Sequence, residues 1–141
     1  MKPDLRPGLR HVQTMRVDDA LTVRTLAGVY GRGDDMPPVL ATAYMIGFIE
    51  WTCVDALRPF LDASERTLGT HVDVSHEAAT PVGLTVTATV TLVEIDGRRM
   101  RFEVSCSDGV DIIGRGFHER MVVDHERFLA RVGRKGPGAG A

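Results

Sequence analysis

The stretch Ala41–Leu57, which reads ATAYMIGFIEWTCVDAL, decides the fold of this chain because it predicts one helix that is apolar on almost every side. Pro37 and Pro38 stand shortly before it and Pro59 follows it, so we expect the helix to begin just after the first two prolines and to end at residue 57 or 58. A helix of this composition is normally buried in a core.

Glu50 lies at the middle of this helix, between Ile49 and Trp51. Burying a carboxylate among apolar side chains is costly unless a partner satisfies it, and burial raises the pKa of such a group. Glu50 is therefore a candidate for acid–base or nucleophilic chemistry. The alternative is a structural carboxylate that is paired with an arginine.

The rest of the chain is rich in predicted strands. Residues 84–92 alternate strictly between apolar side chains and threonine, which is the period of a half-buried strand. Asp96-Gly97 and Asp108-Gly109 predict hairpin turns on either side of a return strand. The predicted strands are residues 10–16, 20–28, 68–77, 84–92, 100–106 and 111–124, with loops at 31–38 and 61–67 and a second short helix at 125–133.

The order strand–strand–helix followed by a meander predicts an α+β fold in which an antiparallel sheet wraps a long helix, which is the hot-dog architecture. A helix that is buried on all sides needs a curved sheet on one side and another partner opposite. We expect that partner to be a second subunit, because dimerisation would cover a helix too apolar for a monomer of this size.

Composition excludes several functional classes. The 17 basic and 19 acidic residues give a formal net charge of −2, which offers no electrostatic reason to bind nucleic acid or an anionic membrane. No stretch is long and apolar enough for a membrane span, and the first residues lack the apolar core of a secretion signal. Cys53 and Cys106 have no metal-type spacing, so we expect no metal site and a reduced, cytoplasmic protein.

The chain length predicts one domain, at residues 10–132. Residues 1–9 contain two prolines and a glycine, and residues 133–141 contain four glycines and a proline. We expect both of these ends to be flexible, because neither can bury much apolar surface.

The sequence resembles the fluoroacetyl-CoA thioesterase family of hot-dog proteins over residues 10–130. Four segments carry the resemblance, namely residues 41–51 (ATAYMIGFIEW), 68–70 (LGT), 75–86 (SHEAATPVGLTV) and 116–120 (GFHER). The resemblance implies a homodimer that hydrolyses a small acyl-CoA thioester. It also implies that Thr42, Glu50 and His76 are catalytic and that Gly69 helps to hold the thioester carbonyl.

Threonine, glutamate, histidine and glycine are residue types that can serve in thioester hydrolysis. Thioester hydrolysis needs an activated water or a carboxylate nucleophile, a proton shuttle and polarisation of the carbonyl, and it needs no cofactor since CoA is part of the substrate. Each residue also has a structural alternative. Thr42 would cap the helix, His76 would be a surface strand histidine, and Gly69 would form a bulge.

Two further residues are candidates for binding substrate. Arg120 would bind an anionic group of CoA, or alternatively pair with Glu119 or Asp124 at the surface. Fluoroacetyl-specific members carry an aromatic-rich lid just before the helix, whereas the matching loop here has Met36 and no aromatic side chain. Methionine refits irregular space, so we expect a broader or different small acyl preference.

The sequence leaves two other classes of function open. One is a hot-dog enoyl-CoA hydratase or dehydratase, although the Asp–His pair usual in such enzymes is not found in this sequence. The other is a non-catalytic domain that binds acyl-CoA or another small ligand. The presence of Thr42, Glu50 and His76 together argues against the second class.

Overall fold

The computed structural model describes residues 1–137. Five strands and three helices follow one another along the chain, with short 3-10 turns at Asp19–Leu21, Val23–Leu26 and Arg58–Phe60. The elements are β1 (Arg10–Arg16), α1 (Ala27–Tyr30), α2 (Thr42–Leu57), β2 (Glu65–Val74), β3 (Thr85–Asp96), β4 (Arg99–Ser107), β5 (Ile112–Asp124) and α3 (His125–Gly133).

The strands form one antiparallel sheet in the order β1-β3-β4-β5-β2, so β1 and β2 are its edges. The period-two pattern of the sequence correctly predicts which face of the central strands is buried. From β3 and β4 the buried side chains are Val86, Ala88, Val90, Leu92, Met100, Phe102, Val104 and Cys106. Helix α2 packs against this face, and the predicted helix is confirmed. Of the predicted meander, β3, β4 and β5 are neighbours in the sheet, whereas β2 pairs with β5 and not with β3.

Helix α2 buries one side in the sheet and leaves the other open. Met45, Ile49 and Cys53 are buried against the sheet. Ala43 and Trp51 lie on the opposite side, and the Trp51 side chain is 59 % exposed. Burial of the helix on all sides, as the sequence predicts, is therefore not reached within one chain. No helix in the described part of the chain is long and apolar enough to cross a membrane.

The prediction of a strand over residues 20–28 is wrong, because this segment forms two 3-10 turns and α1. Local side-chain hydrogen bonds explain the difference. The Asp18 carboxylate accepts from the amide of Ala20, and the Thr22 and Thr25 hydroxyl groups donate to the carbonyls of Asp19 and Ala20. Such bonds stabilise turns in competition with a strand ladder.

The structure also bears on one predicted boundary and on the two ends of the chain that were predicted to be flexible. Strand β2 begins at Glu65, inside the predicted loop at 61–67. Residues 1–9 are tied to the domain, since the amide of Lys2 donates to the carbonyl of Phe60 and that of Gly8 to the carbonyl of Leu92. Of the predicted flexible tail at 133–141, Gly133 ends α3 and residues 138–141 lie outside the described residues.

Two glycines of β5 allow β2 and the segment after it to approach closely. A Cβ atom on Gly114 would lie 2.4 Å from the carbonyl oxygen of Ser75. Gly116 has a φ of +154°, and a Cβ atom there would lie 1.9 Å from the carbonyl oxygen of Asp73. The role of these glycines is to admit neighbouring backbone.

We expect Gly116→Ala to lower the free energy of unfolding by about 1–3 kcal/mol, because the new methyl group overlaps the Asp73 carbonyl. Gly28→Ala is the matched control, since a Cβ atom there meets nothing within 4 Å. Its effect should stay within about 1 kcal/mol and be stabilising in sign. Urea unfolding of both variants measures this, and equal midpoints would contradict the close approach at Gly116.

Candidate active site

Thr42 and His76 form a hydrogen-bonded pair at the beginning of α2. Thr42 is the first residue of the helix, and the N-cap residue is Ala41, which provides no side-chain cap. The Thr42 Oγ1 atom lies 2.6 Å from Nδ1 of His76. The interpretation of Thr42 as a capping residue is therefore wrong, because its hydroxyl group contacts a histidine from a distant part of the sequence.

His76 lies just beyond the end of β2 and is half-buried, so it is not a surface strand histidine. Its Nε2 atom is buried and has no hydrogen-bond partner among residues 1–137. Neighbouring backbone fixes its segment, because the amides of Ser75 and Glu77 donate to carbonyls of β5. Arg115 pairs with Glu77 at 3.1 Å and thereby lowers the pKa of that carboxyl group.

A buried pair holds the other end of the His76 segment. The Thr80 hydroxyl group donates to Asp108 Oδ2 over 2.8 Å, and both side chains are buried. Burial would raise the pKa of Asp108, but backbone amides of Asp111 and Val110 and the Thr80 hydroxyl group outweigh it, so the pKa is lowered. The charged carboxylate therefore ties the loop after His76 to the turn between β4 and β5.

Glu50 faces Gly69 of β2. A Cβ atom on Gly69 would lie 3.2 Å from Glu50 Oε1, 3.2 Å from His118 Cε1 and 3.3 Å from Arg120 Nη1. These three side chains converge on the place that a Cβ atom of Gly69 would take, and we call this place the Gly69 slot. The strand register also shifts just after Gly69, so the predicted bulge is present as well. Within residues 1–137 no arginine ion-pairs with Glu50, which argues against the purely structural reading of this carboxylate.

Arg120 is buried, and this rules out the alternative that it pairs with Glu119 or Asp124 at the surface. Its Nε and Nη2 atoms donate to the hydroxyl and the carbonyl of Thr67, each over 2.9 Å, and its Nη1 atom lies 3.1 Å from His118 Nε2. Burial lowers the pKa of Arg120, while the negative charge of Glu50 opposes this shift. Arg120 is therefore a desolvated cation close to Glu50.

His118 has no role that the sequence predicts, although it is one of the most deeply buried polar side chains. Its Nδ1 atom lies 2.8 Å from the carbonyl oxygen of His71 on the neighbouring strand. The period-two alternation of β5 places His118, Arg120 and Val122 on the core-facing side of the sheet. That alternation is the signal by which sequence reasoning could have found His118.

One chain does not bring all the predicted catalytic residues together. Thr42 and Glu50 stand eight residues apart on α2, which is about 12 Å along the helix axis. Gly69 is close to Glu50 of the same chain, and His76 is close to Thr42. Two surface grooves lie near the predicted site, one lined by His76 and one by Arg120. Met36 is 40 % exposed and lines neither of them.

Comparison with known proteins first defines the class of the fold. The chain superposes on a hot-dog-like protein from Thermanaerovibrio acidaminovorans with a TM-score of 0.82 at 22 % identity, covering 97 % of this chain and 95 % of that one. The curled antiparallel sheet and its long helix α2 are thus those of the hot-dog fold, and the predicted fold class is confirmed.

Closer matches define the family. The family described as fluoroacetyl-CoA-specific thioesterase matches residues 17–126. The fluoroacetyl-CoA thioesterase of Streptantibioticus cattleyicolor is 45 % identical over 137 residues, which is 97 % of this chain and 99 % of that protein. A phenylalanine-to-alanine mutant of the fluoroacetyl-CoA-specific thioesterase, solved with fluoroacetate and CoA, has a TM-score of 0.85 at 45 % identity, covering 88 % of this chain and 99 % of that one.

This chain belongs to the fluoroacetyl-CoA-specific thioesterase family. The family predicted from the four sequence segments is thereby confirmed. The comparisons do not favour the hydratase or the non-catalytic binding domain.

The buried His118 gives stability a specific dependence on pH. Burial lowers the pKa of His118 in the folded state, so the unfolded chain takes up this proton at a higher pH than the folded chain does. The free energy of unfolding should therefore fall as the pH drops from about 6.5 toward the lowered value. Thermal unfolding from about pH 7 to pH 5 should show a smaller loss for His118→Gln than for the wild type. Equal losses would contradict the buried neutral histidine.

Proposed function

We propose that this protein hydrolyses small acyl-CoA thioesters to the free acid and CoA. Membership of a thioesterase family supports this, as does the relative that binds fluoroacetate and CoA. The observation that carries the proposal is the pairing of Thr42 with His76, together with a carboxylate, Glu50, that faces a glycine slot without an ion-pair partner in the described part of the chain.

Glu50, His76 and Thr42 have different roles in the proposed hydrolysis. Glu50 acts as the nucleophile on the thioester carbon or as the base that activates water. His76 accepts a proton and returns it to the departing thiolate, so that CoA leaves as the neutral thiol. Thr42 orients His76 through the 2.6 Å contact and offers its hydroxyl group to the substrate. The chemistry uses these side chains and water, and CoA enters as part of the substrate.

The beginning of α2 is suited to a developing oxyanion. The first amides of a helix have no partner within the helix, and here no side chain caps them. Their N–H groups and the helix dipole favour negative charge at this point. We propose that these amides, with the backbone of Gly69, stabilise the negative oxygen of the tetrahedral intermediate.

We propose a homodimer that is formed through the open side of α2 and the edge strand β2. Ala43, Gly47 and Trp51 stand four residues apart along the exposed side of the helix, and Val72 of β2 is 41 % exposed. An unpaired edge strand and an apolar helix face are surfaces that a second copy can cover. Light scattering should then return twice the chain mass of 15.4 kDa, and a mass of one chain would contradict the dimer.

A dimer would also bring together the proposed catalytic residues that lie apart within one chain. The helix face has Ala43 and Trp51 placed symmetrically about Gly47, so a two-fold axis near Gly47 would set the small residue of one helix against the large residue of its partner. The helices then run antiparallel, and Thr42 of one subunit approaches Glu50 of the partner subunit. We propose that each active site combines the Thr42–His76 pair of one chain with the Gly69 slot of the other.

Arg120 and Met36 are proposed to contact the substrate in different ways. Because Arg120 is buried and borders the Gly69 slot, it would contact the part of the substrate that lies beside Gly69 rather than a solvated phosphate group. Met36 lies on the loop before α2, where its carbonyl accepts from Arg24 Nε. It would close over the acyl group as a flexible apolar side chain.

We also propose that the protein works in the cytoplasm. Cys53 and Cys106 are both buried as free thiols, and burial raises their pKa values to about 12 and about 11. Such thiols are poor nucleophiles and fit a reduced compartment. A stable disulfide between these residues in the protein purified without reductant would contradict this location.

Glu50→Gln keeps the volume of the side chain and removes its charge, so it tests the proposed function directly. We expect the release of free CoA thiol to fall by ~10²-fold or more while the unfolding midpoint stays unchanged. Thr42→Ala should cause a severe loss, and Thr42→Ser, which keeps the hydroxyl group, a mild one. An unchanged rate in Glu50→Gln would return this carboxylate to a structural role.

The loop without aromatic side chains should relax acyl selectivity. We expect comparable kcat/KM values across acetyl-, fluoroacetyl- and propionyl-CoA, because a methionine lid fits irregular groups of several shapes. Thiol release with this panel measures the effect. A preference for fluoroacetyl-CoA over acetyl-CoA as strong as that of a dedicated fluoroacetyl-CoA enzyme would contradict this prediction.

A further inference from the structure

His118 stands outside the proposed catalytic set, yet both of its ring nitrogens are engaged. Its side chain is 1 % exposed. Nδ1 lies 2.8 Å from the His71 carbonyl oxygen, and Nε2 lies 3.1 Å from Arg120 Nη1. The ring thus bridges strand β2 and the buried guanidinium group.

These two contacts determine which nitrogen carries the proton. A guanidinium group can only donate hydrogen bonds, so Nε2 of His118 must accept from Arg120. Nδ1 must then carry the hydrogen and donate it to the His71 carbonyl oxygen. His118 is therefore neutral and held in one tautomer, and burial stabilises this neutral form.

The arginine nitrogen that His118 binds is the one that faces the Gly69 slot. Thr67 accepts from the Nε and Nη2 atoms of Arg120, which leaves Nη1 to His118. A Cβ atom on Gly69 would lie 3.3 Å from this Nη1 and 3.2 Å from Glu50 Oε1. The cation and the carboxylate therefore border one small space, yet they do not form an ion pair.

We propose that His118 is a positioning residue that restrains Arg120 beside Glu50 and prevents the guanidinium group from pairing with this carboxylate. The inference rests on the proposed role of Glu50 in thioester hydrolysis. Without the lone pair of His118, Nη1 would lose its acceptor in a desolvated site, and the Glu50 carboxylate lies on the other side of Gly69. A direct ion pair would engage the oxygen atoms of Glu50 and cover Gly69.

Two substitutions separate the two hydrogen bonds of His118. The amide of Gln reaches the place of Nε2, so His118→Gln keeps an acceptor for Arg120 and loses the donor to His71. The shorter Asn reaches only the place of Nδ1, so His118→Asn keeps the donor and loses the acceptor. We expect kcat/KM to stay within about 3-fold for Gln and to fall by ~10-fold or more for Asn, as for other small displacements at active sites.

Two further variants exclude a general effect on folding. His125→Asn makes the same chemical change at the beginning of α3 and should leave kcat/KM unchanged. In an Arg120→Gln background, His118→Asn should cause no further loss, because no guanidinium group remains to restrain. Equal losses in the Gln and Asn variants, or an undiminished loss in that background, would overturn the positioning role.

A spectroscopic measurement tests the contact without reference to activity. Two-bond ¹H–¹⁵N spectra of the folded protein, assigned with His118→Gln, should show a protonated Nδ1 and an unprotonated Nε2. A protonated Nε2 would overturn the proposal even in an active enzyme. A wild-type protein that releases no thiol, with Nδ1 protonated, would instead overturn the proposed function and with it the catalytic meaning of the restraint.

Discussion

The packing of α2 against the curved face of the sheet is the contact on which the rest of the structure depends. Met45, Ile49 and Cys53 fix the rotation of the helix about its axis. That rotation turns Thr42 toward the loop after β2 and Glu50 toward the middle of β2. A rigid helix held by close packing positions polar groups more accurately than a loop would.

The close approach of other groups to the backbone is the second constraint, and glycine permits it at two places in the structure. Gly69 leaves room for the side chains of Glu50, His118 and Arg120 to converge on one point. Gly114 and Gly116 let the segment that carries His76 lie directly on β5. Any side chain at these positions would displace either the segment of His76 or the carboxylate of Glu50, so the architecture of the site and the absence of a Cβ atom are linked.

The elements that could be predicted from the sequence are those whose signals are local. The apolar run of α2 and the alternation of β3 each repeat with the period of one element, and proline and Asp-Gly pairs mark their ends. Residues 20–28 could not be predicted, because their strand-like alternation competes with hydroxyl groups that bond to nearby carbonyls. The balance between these two effects is decided by side-chain geometry.

In the candidate site, too, some features could be predicted from the sequence and others could not. Thr42, Glu50, His76 and Gly69 could be named from a motif, but the partner of each depends on contacts between distant parts of the chain. Arg120 meets Thr67 across 53 residues, and Thr42 meets His76 across 34. A position on β5 indicates a buried face for Arg120, but it cannot reveal that a histidine and a threonine will satisfy the guanidinium group.

The central claim is that two chains complete one active site, and mixed dimers test it most directly. Thr42→Ala and Glu50→Gln subunits with different affinity tags can be co-expressed and the mixed dimer purified. A site shared between subunits leaves one intact site per mixed dimer, so thiol release should recover to about half of the wild-type rate. If each site lies within one subunit, both sites of the mixed dimer are defective, and a rate no higher than that of either parent variant would contradict the account.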